Sequence, residues 1–376
     1  MRHKVKIETL SSVHVGSGET LMNNCDYIVE GDSVYIISPE KLGQLIGTDQ
    51  FTIDKWVAAI NDNSFDNFLA THTQGAGKDR FSSRVLANWA TGEFKKDSTL
   101  STCIHDGRGL PYIPGSTIKG AIRTAITASL MKSIVDAEPN LPFEKSKSKL
   151  NRLFNKDEKL NPQYDIFRFL LISDAYFEIG SEAAVKLVLL NQREKDELID
   201  KNKAPQIVEV IDKEFDSIFT ITIDKEKYDI VAHHCKNETK PNKIATWPNE
   251  MSSVDSLFKC INAQTKRRVD SEISYWEDYI TESGKNGADD YIANLKSIKA
   301  RVNSCREGKE CVLRIGQGIG WRFITGAWAE NLENFEDYIP KIRPKNDKYS
   351  QYDFPKSRRI DDESYLLGFV KLTLVD

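Results

Sequence analysis

Tyr112-Ile113-Pro114-Gly115-Ser116-Thr117-Ile118-Lys119-Gly120-Ala121-Ile122-Arg123 is the stretch on which the fold turns. Pro-Gly-Ser reads as a turn that opens a helix, with Ser116 as the expected N-cap. Beyond it Ile118, Ile122, Ala125, Ile126 and Leu130 recur at helical spacing, so one face is expected in a core. Lys119 and Arg123 lie four apart and share a neighbouring stripe near the helix start. Amides of Gly115, Ser116 and Thr117 beside two cations would suit a phosphate chain. A second glycine-basic segment lies near the far end: Leu313-Arg314-Ile315-Gly316-Gln317-Gly318-Ile319-Gly320-Trp321.

Neither segment completes a familiar nucleotide motif. Gly115 and Gly120 have the spacing of a Walker A loop, but Ala121 and Ile122 follow where Lys and Ser or Thr are needed. Gly316 and Gly318 start a dinucleotide fingerprint, and Trp321 stands at its third glycine. A nucleotide-binding enzyme stays an alternative that these motifs do not favour. Tight turns with solvated cations would also account for both segments.

The surrounding chain sets the frame. Its 376 residues suffice for two average domains, or for one core with large insertions. No run approaches the roughly 18 apolar residues of a membrane helix, and no membrane partner is expected. Met1 to Ile7 lack a signal-peptide core, so a cytoplasmic location is expected. Six cysteines form no C-x-x-C pair and read as free thiols. His233-His234-Cys235 with Cys260, Cys305 and Cys311 match no zinc spacing, so neither cofactor nor metal is expected. A net charge of −4 argues against coating nucleic acid over the whole surface, yet permits a local basic groove. Residues 341–359 illustrate the segregation: Lys341, Arg343, Lys345, Lys348, Lys356, Arg358 and Arg359 stand against Asp347 and Asp353. Tyr349, Tyr352 and Phe354 among them offer rings on which bases, or a neighbouring subunit, could pack.

Residues 3–10 alternate as a strand, and Gly16-Ser17-Gly18 close the turn that follows. Residues 26–37 read as a hairpin around Glu30-Gly31-Asp32, and 39–67 as helical. Residues 141–165 look like a mobile, basic insertion, and 166–190 like buried strands. Further strands are expected at 208–211, 218–223, 311–315 and 366–372, with helices over 250–305. Strands scattered from end to end predict an α+β core with long insertions.

The segment 112–125 resembles the signature of the RAMP superfamily of CRISPR-associated RNA-binding proteins. Residues 9–18, the loop 314–321, and Phe354-Pro355-Lys356-Ser357-Arg358-Arg359 leading to 367–372 resemble one subgroup. That subgroup caps the head of the type III-A (Csm) effector complex. The resemblance implies an RRM-like (ferredoxin-like) RAMP core with large helical and hairpin insertions. One core over 1–376, built from both termini, would carry insertions at about 40–105, 140–205 and 230–305. It further implies a non-catalytic subunit that holds the 3′ end of the CRISPR RNA and influences its maturation. Expected partners are CRISPR RNA, target RNA, other Csm-complex subunits (the backbone RAMP subunit above all) and cellular maturation nucleases. The expected RNA contacts are His14, Gly16, Ser17, Gly18, Gly115, Ser116, Thr117, Lys119, Arg123, Arg314, Gly316, Gly318, Gly320, Lys356, Arg358 and Arg359. A metal-dependent endoribonuclease of the same superfamily is the other reading, in which Asp26 would hold the metal at the scissile phosphate.

Overall fold

The computed structural model describes residues 2–62, 64–92, 94–95, 98–157, 159–237, 243–343 and 350–375. Lys345, Asp347, Lys348 and Tyr349 of the basic segment lie outside the described residues. The first half of the chain runs β1 (Arg2–Thr9), β2 (Gly16–Met22), β3 (Tyr27–Glu30), β4 (Ser33–Ile37), α1 (Pro39–Ile46), α2 (Gln50–Asn61), α3 (Phe65–His72), β5 (Ser82–Asn88), β6 (Thr99–Cys103), β7 (Tyr112–Ile113), α4 (Gly115–Ala137) and α5 (Phe143–Arg152). The second runs β8 (Leu170–Ile172), β9 (Ala175–Tyr176), β10 (Glu182–Asn191), β11 (Gln206–Ile211), β12 (Asp216–Ile223), α6 (Lys225–Asn237), α7 (Val254–Ser283), α8 (Asp289–Asn303), β13 (Glu310–Arg314), α9 (Ile339–Ile342), β14 (Ser357–Asp361) and β15 (Phe369–Leu374).

β1 alternates Lys4, Lys6 and Glu8 with Val5, Ile7 and Thr9, and only the second set is buried. That period of two places β1 mid-sheet with one apolar face. It centres a five-stranded sheet of order β13-β15-β1-β12-β8. Val5 pairs with Phe219 on β12, and Ile7 with Leu372 on β15, so strands from both ends of the chain are neighbours. α4 covers this face with Ile118, Ile122, Ala125 and Ile126, the stripe read from the sequence.

The 30-residue α7 crosses the sheet's edge. Its first half packs Leu257, Phe258 and Ile261 on the α4 side, and its second half packs Val269, Ile273 and Trp276 with α8 on the other. At the crossing, Thr265 donates to Val312 O (2.7 Å) and Asn262 accepts from Val312 N (3.1 Å). Both outward backbone groups of Val312, at the middle of edge strand β13, are thereby satisfied, which hinders further pairing there.

The second sheet follows the order β2-β6-β11-β10-β5-β4-β3, with β14 added beside β10. β10 is buried along nearly all its length, as its apolar run EAAVKLVLLN requires. It pairs antiparallel with β11 and β14 and parallel with β5. The fold is thus α+β, as the scattered strands imply.

Four expectations change, the first being that Gly16, Ser17 and Gly18 open strand β2 rather than close a turn. The helical stretch from Pro39 is three helices, with Ser38 and Asp49 capping the first two. Residues 141–165 are not a bare insertion: Leu141, Phe143, Leu150 and Leu153 anchor α5 and its flanks against Trp328 and Tyr338. Residues 166–190 begin with a 3-10 turn at Ile166–Phe169 and short β8 before the long strand. None of the described helices is long and apolar enough to cross a membrane.

Candidate nucleic-acid interface

The two glycine segments and the turn after β1 meet at one cleft of about 470 Å³. One wall is an α4 stripe: Thr117, Gly120, Ala121 and Thr124. The opposite wall is His14, Val15 and Gly16, and the floor runs from Arg314 to Gln317. Phe323, Ile324 and Thr325 close the far end. No Asp or Glu is among the described residues that line it. The Thr124 and Thr325 hydroxyls are 2.9 Å apart, which ties the α4 wall to the 3-10 turn at the end.

Gly316 holds two of these walls together. Its φ is +82°, and a Cβ there would meet His14 O at 2.5 Å. Gln317 N–H donates to that same carbonyl (2.9 Å). Only glycine permits both the left-handed backbone and the approach. Gly318 and Gly320 continue the loop beside Leu367 and Arg358.

His14 is buried, and its Nδ1 donates to Glu209 O (2.6 Å). Burial lowers its pKa, so the ring is neutral and offers Nε2 as an acceptor. Gly16 lines the cleft, whereas Ser17 turns away to bond Thr102 (2.6 Å), and exposed Gly18 is not part of the lining.

The α4 start differs from expectation. The helix begins at Gly115, and Ser116 is exposed and makes no cap. Asp174, from the β8–β9 loop, caps instead by accepting from Gly115 N–H (2.7 Å). Thr117 N–H returns to Pro114 O (2.9 Å). The Gly115 and Thr117 amides are therefore taken, and Gly115 serves contact: a Cβ would sit 2.2 Å from Ile172 O.

The two cations also part company. Arg123 bonds Asp165 (2.9 Å) and lies against the Phe154 and Phe167 rings, so it anchors the 154–167 segment to α4. Lys119, half-buried beside the cleft-lining stripe, has no carboxylate within ion-pair distance among the described residues. Burial lowers its pKa, with Asp165 pulling the other way.

Two expected RNA contacts are core residues. Arg314 is 4% exposed, lies against the edge-to-face pair Phe323 and Phe369, and donates to Leu367 O (2.9 Å). Arg358 is equally buried and pairs with Glu272. Each guanidinium is engaged inside the protein, and Arg314 also borders the floor of the cleft. Glu272 also receives Arg322 Nη1 (2.6 Å), Tyr291 OH (2.7 Å) and Trp276 Nε1 (3.2 Å). These cations hold the Glu272 carboxyl far below the usual range despite complete burial. Arg322 follows the glycine loop and Arg358 lies under Gly320, so this cluster sets the loop in place. Sequence reading gave no sign of it, since Glu272 is one charge among many on α7.

Among the described cations of the basic segment only Arg358 is buried; Lys341 is exposed, and Arg343, Lys356 and Arg359 are half-buried. Phe354 packs on Trp321 (5.0 Å) under Arg343, and Lys341 pairs with Glu144. Lys356 lies over the Tyr352 ring, and half-buried Arg359 reaches Ala204 O (3.4 Å). Asp26 sits in the turn before β3, where its carboxylate accepts from Met22 N–H (2.8 Å). It is not among the residues of the cleft.

The chain as a whole is similar to known proteins. A protein of Methanocaldococcus jannaschii described as "CRISPR system Cms protein Csm5" is 26% identical over 263 residues. That match spans 63% of this chain and 61% of the relative. Among solved structures, a chain of a Csm–crRNA–target RNA ternary complex of a type III-A CRISPR-Cas system superposes with a TM-score of 0.68. It is 18% identical, with 99% of this chain and 100% of that one covered. T. onnurineus Csm5 gives 0.64 at 16% identity, over 97% and 99% of the two chains. The RAMP superfamily profile matches residues 6–323, most of the chain, and this protein belongs to the RAMP superfamily.

Proposed function

We propose that this chain is a non-catalytic RNA-binding subunit of a type III-A CRISPR interference complex. It caps the 3′ end of the guide RNA and influences how far that end is trimmed. The similarity to the Csm5 proteins supports the complex, and the cleft supports the role. The observation that carries the reading is the convergence of the α4 stripe, the His14–Gly16 segment and the Gly316 loop on a groove whose described lining has no carboxylates. Such a lining does not repel a phosphodiester chain, and Lys119 beside it adds attraction. Thr117, Thr124, Thr325 and His14 offer hydroxyl and imidazole partners to ribose 2′-hydroxyls, so no base need be read. That suits a subunit that must accept any guide.

The partners of this reading are CRISPR RNA, target RNA, other Csm subunits with the backbone RAMP subunit foremost, and maturation nucleases, all in the cytoplasm. A single core built from both termini, with insertions at about 40–105, 140–205 and 230–305, is the matching domain plan. The test is to recover the tagged protein from its native cells and sequence the RNA that accompanies it. CRISPR RNAs of defined 3′ ends together with other effector subunits are expected. Bulk cellular RNA without those subunits would overturn the proposal.

A further inference from the structure

A second cleft, of about 360 Å³, opens over the eight-stranded sheet and is lined in part by Arg84, His105, Arg108 and Glu182. Below it His105, Glu182 and Glu209 converge. Glu182 and Glu209 stand on adjacent strands β10 and β11, where Ala184 is the residue opposite Glu209. Both carboxylates are buried, at 4% and 0% exposure, and His105 reaches them from the loop after β6. One nitrogen and two carboxylate oxygens lie within 4.8 Å of one another.

The hydrogen bonds around the trio define what can lie inside it. His105 Nδ1 is 3.0 Å from Cys103 O, an acceptor only, so Nδ1 carries a proton. In the neutral ring Nε2 then presents a lone pair, and that lone pair faces Glu182 Oε1 at 2.5 Å and Glu209 Oε1 at 3.8 Å. Lone pairs that face each other so closely need a cation between them. A proton fills the role at this separation, and a metal ion does so once nitrogen and oxygen part to about 3 Å, the spacing that bonds of about 2.1 Å require. The outer atoms of His105 and Glu209 are held by the protein, as those of metal ligands usually are. Glu209 Oε2 accepts from Cys103 N–H (2.9 Å) and Arg84 Nη2 (2.9 Å), which fixes the carboxylate plane. Glu209 Oε1 already accepts from Arg84 Nε (2.7 Å) and retains a second lone pair.

We propose that His105 Nε2, Glu182 Oε1 and Glu209 Oε1 bind one divalent transition-metal ion, with the cleft above supplying its remaining ligand as water or an anion. One imidazole and two carboxylates suit zinc or manganese, and a hard oxygen-only ion such as calcium less well. Charge agrees with an open anionic position: the ion, Arg84 and two carboxylates sum to one positive charge with the ring neutral. The site stands apart from the RNA-binding reading, and neither depends on the other.

The test uses the full-length protein stripped with chelator and dialysed against low-micromolar Zn²⁺ or Mn²⁺ at neutral pH. Bound metal is counted by elemental analysis. About one equivalent is expected for the wild type, and less than a tenth of that for His105→Ala and for Glu182→Gln. Glu182→Gln keeps the side-chain shape, and a melting curve of each variant without metal checks that it folds. A double His233→Ala/His234→Ala variant, which removes the exposed imidazoles of α6, should retain the metal. Loss in that variant alone, or no metal in the wild type, would overturn the site. Co²⁺ loading of the wild type is an independent reading that needs no variant. Weak visible bands without a thiolate charge-transfer band are expected, and a strong thiolate band would place the ion at a cysteine and refute the assignment.

Discussion

Removing the Glu272 carboxylate would leave Arg358 and Arg322 buried without their shared counter-charge. Breaking such a buried pair from one side costs about 3–5 kcal/mol, because the stranded charge cannot reach water. Glu272→Gln should therefore lower unfolding free energy by about that amount in urea titrations. A loss below about 1 kcal/mol would mean that water reaches the cluster. Asp361 makes the opposite case. Burial, with Asp362 and Glu363 nearby, raises its pKa to about 6 against two backbone hydrogen bonds that lower it. The folded state therefore holds a proton that the unfolded chain releases at about pH 4. Stability contributed by this group falls as pH rises from about 4 to 6, and stays lower above that. Asp361→Asn preserves the acceptor oxygen and removes the charge. It should raise stability near pH 7.5 by about 1–2 kcal/mol, allowing for partial exposure, and flatten the slope between pH 4 and 6. Melting temperatures across that pH range are the measurement.

At the scale of the element, α4 separates what the sequence could convey from what it could not. The Ile118–Ile126 spacing is a local signal, and the helix packs as it predicts. The cap is a long-range contact: Asp174 lies 59 residues away, and nothing near Ser116 announces it. Ser116→Ala should thus change stability by less than about 0.5 kcal/mol. Asp174→Ala should cost about 1 kcal/mol through the lost cap. Gly115→Ala should cost about 1–3 kcal/mol, since a Cβ at 2.2 Å from Ile172 O forces helix and strand apart. Thermal unfolding of the three variants tests the order; Ser116→Ala as the most damaging would return the cap to Ser116. The same logic explains the buried arginines. Arg314 and Arg358 belong to segments that look exposed by composition, and only the assembled fold brings Phe369 and Glu272 to them. The ligand trio at His105 was invisible for the same reason, being gathered from three strands' worth of separate sequence.

For the whole molecule, the proposed function depends on one groove where distant segments meet, so the decisive variant must alter that groove and leave its walls standing. Gly120 satisfies both conditions. It is exposed on the lining stripe of α4, and a Cβ there meets nothing within 4 Å. Gly120→Ala should stabilise the chain by about 0.5–1 kcal/mol, the ordinary gain from replacing a helical glycine, with RNA binding retained. Gly120→Glu should fold at least as well as wild type while placing a carboxylate in the groove proposed for the phosphate chain. Its affinity for single-stranded RNA in the assembled complex should fall at least tenfold at physiological salt. Lys119→Glu should weaken binding similarly, and its loss should shrink as salt rises, because one fewer counterion is released. Arg123→Glu differs in kind. It breaks the Asp165 pair and the contact with two phenylalanine rings, so it should lower the melting temperature and affect RNA only through the fold. Gel-shift titrations at several salt concentrations, run beside melting curves, distinguish these outcomes. A Gly120→Glu protein that binds RNA as wild type would show that the strand lies on another face, and the groove would lose its role.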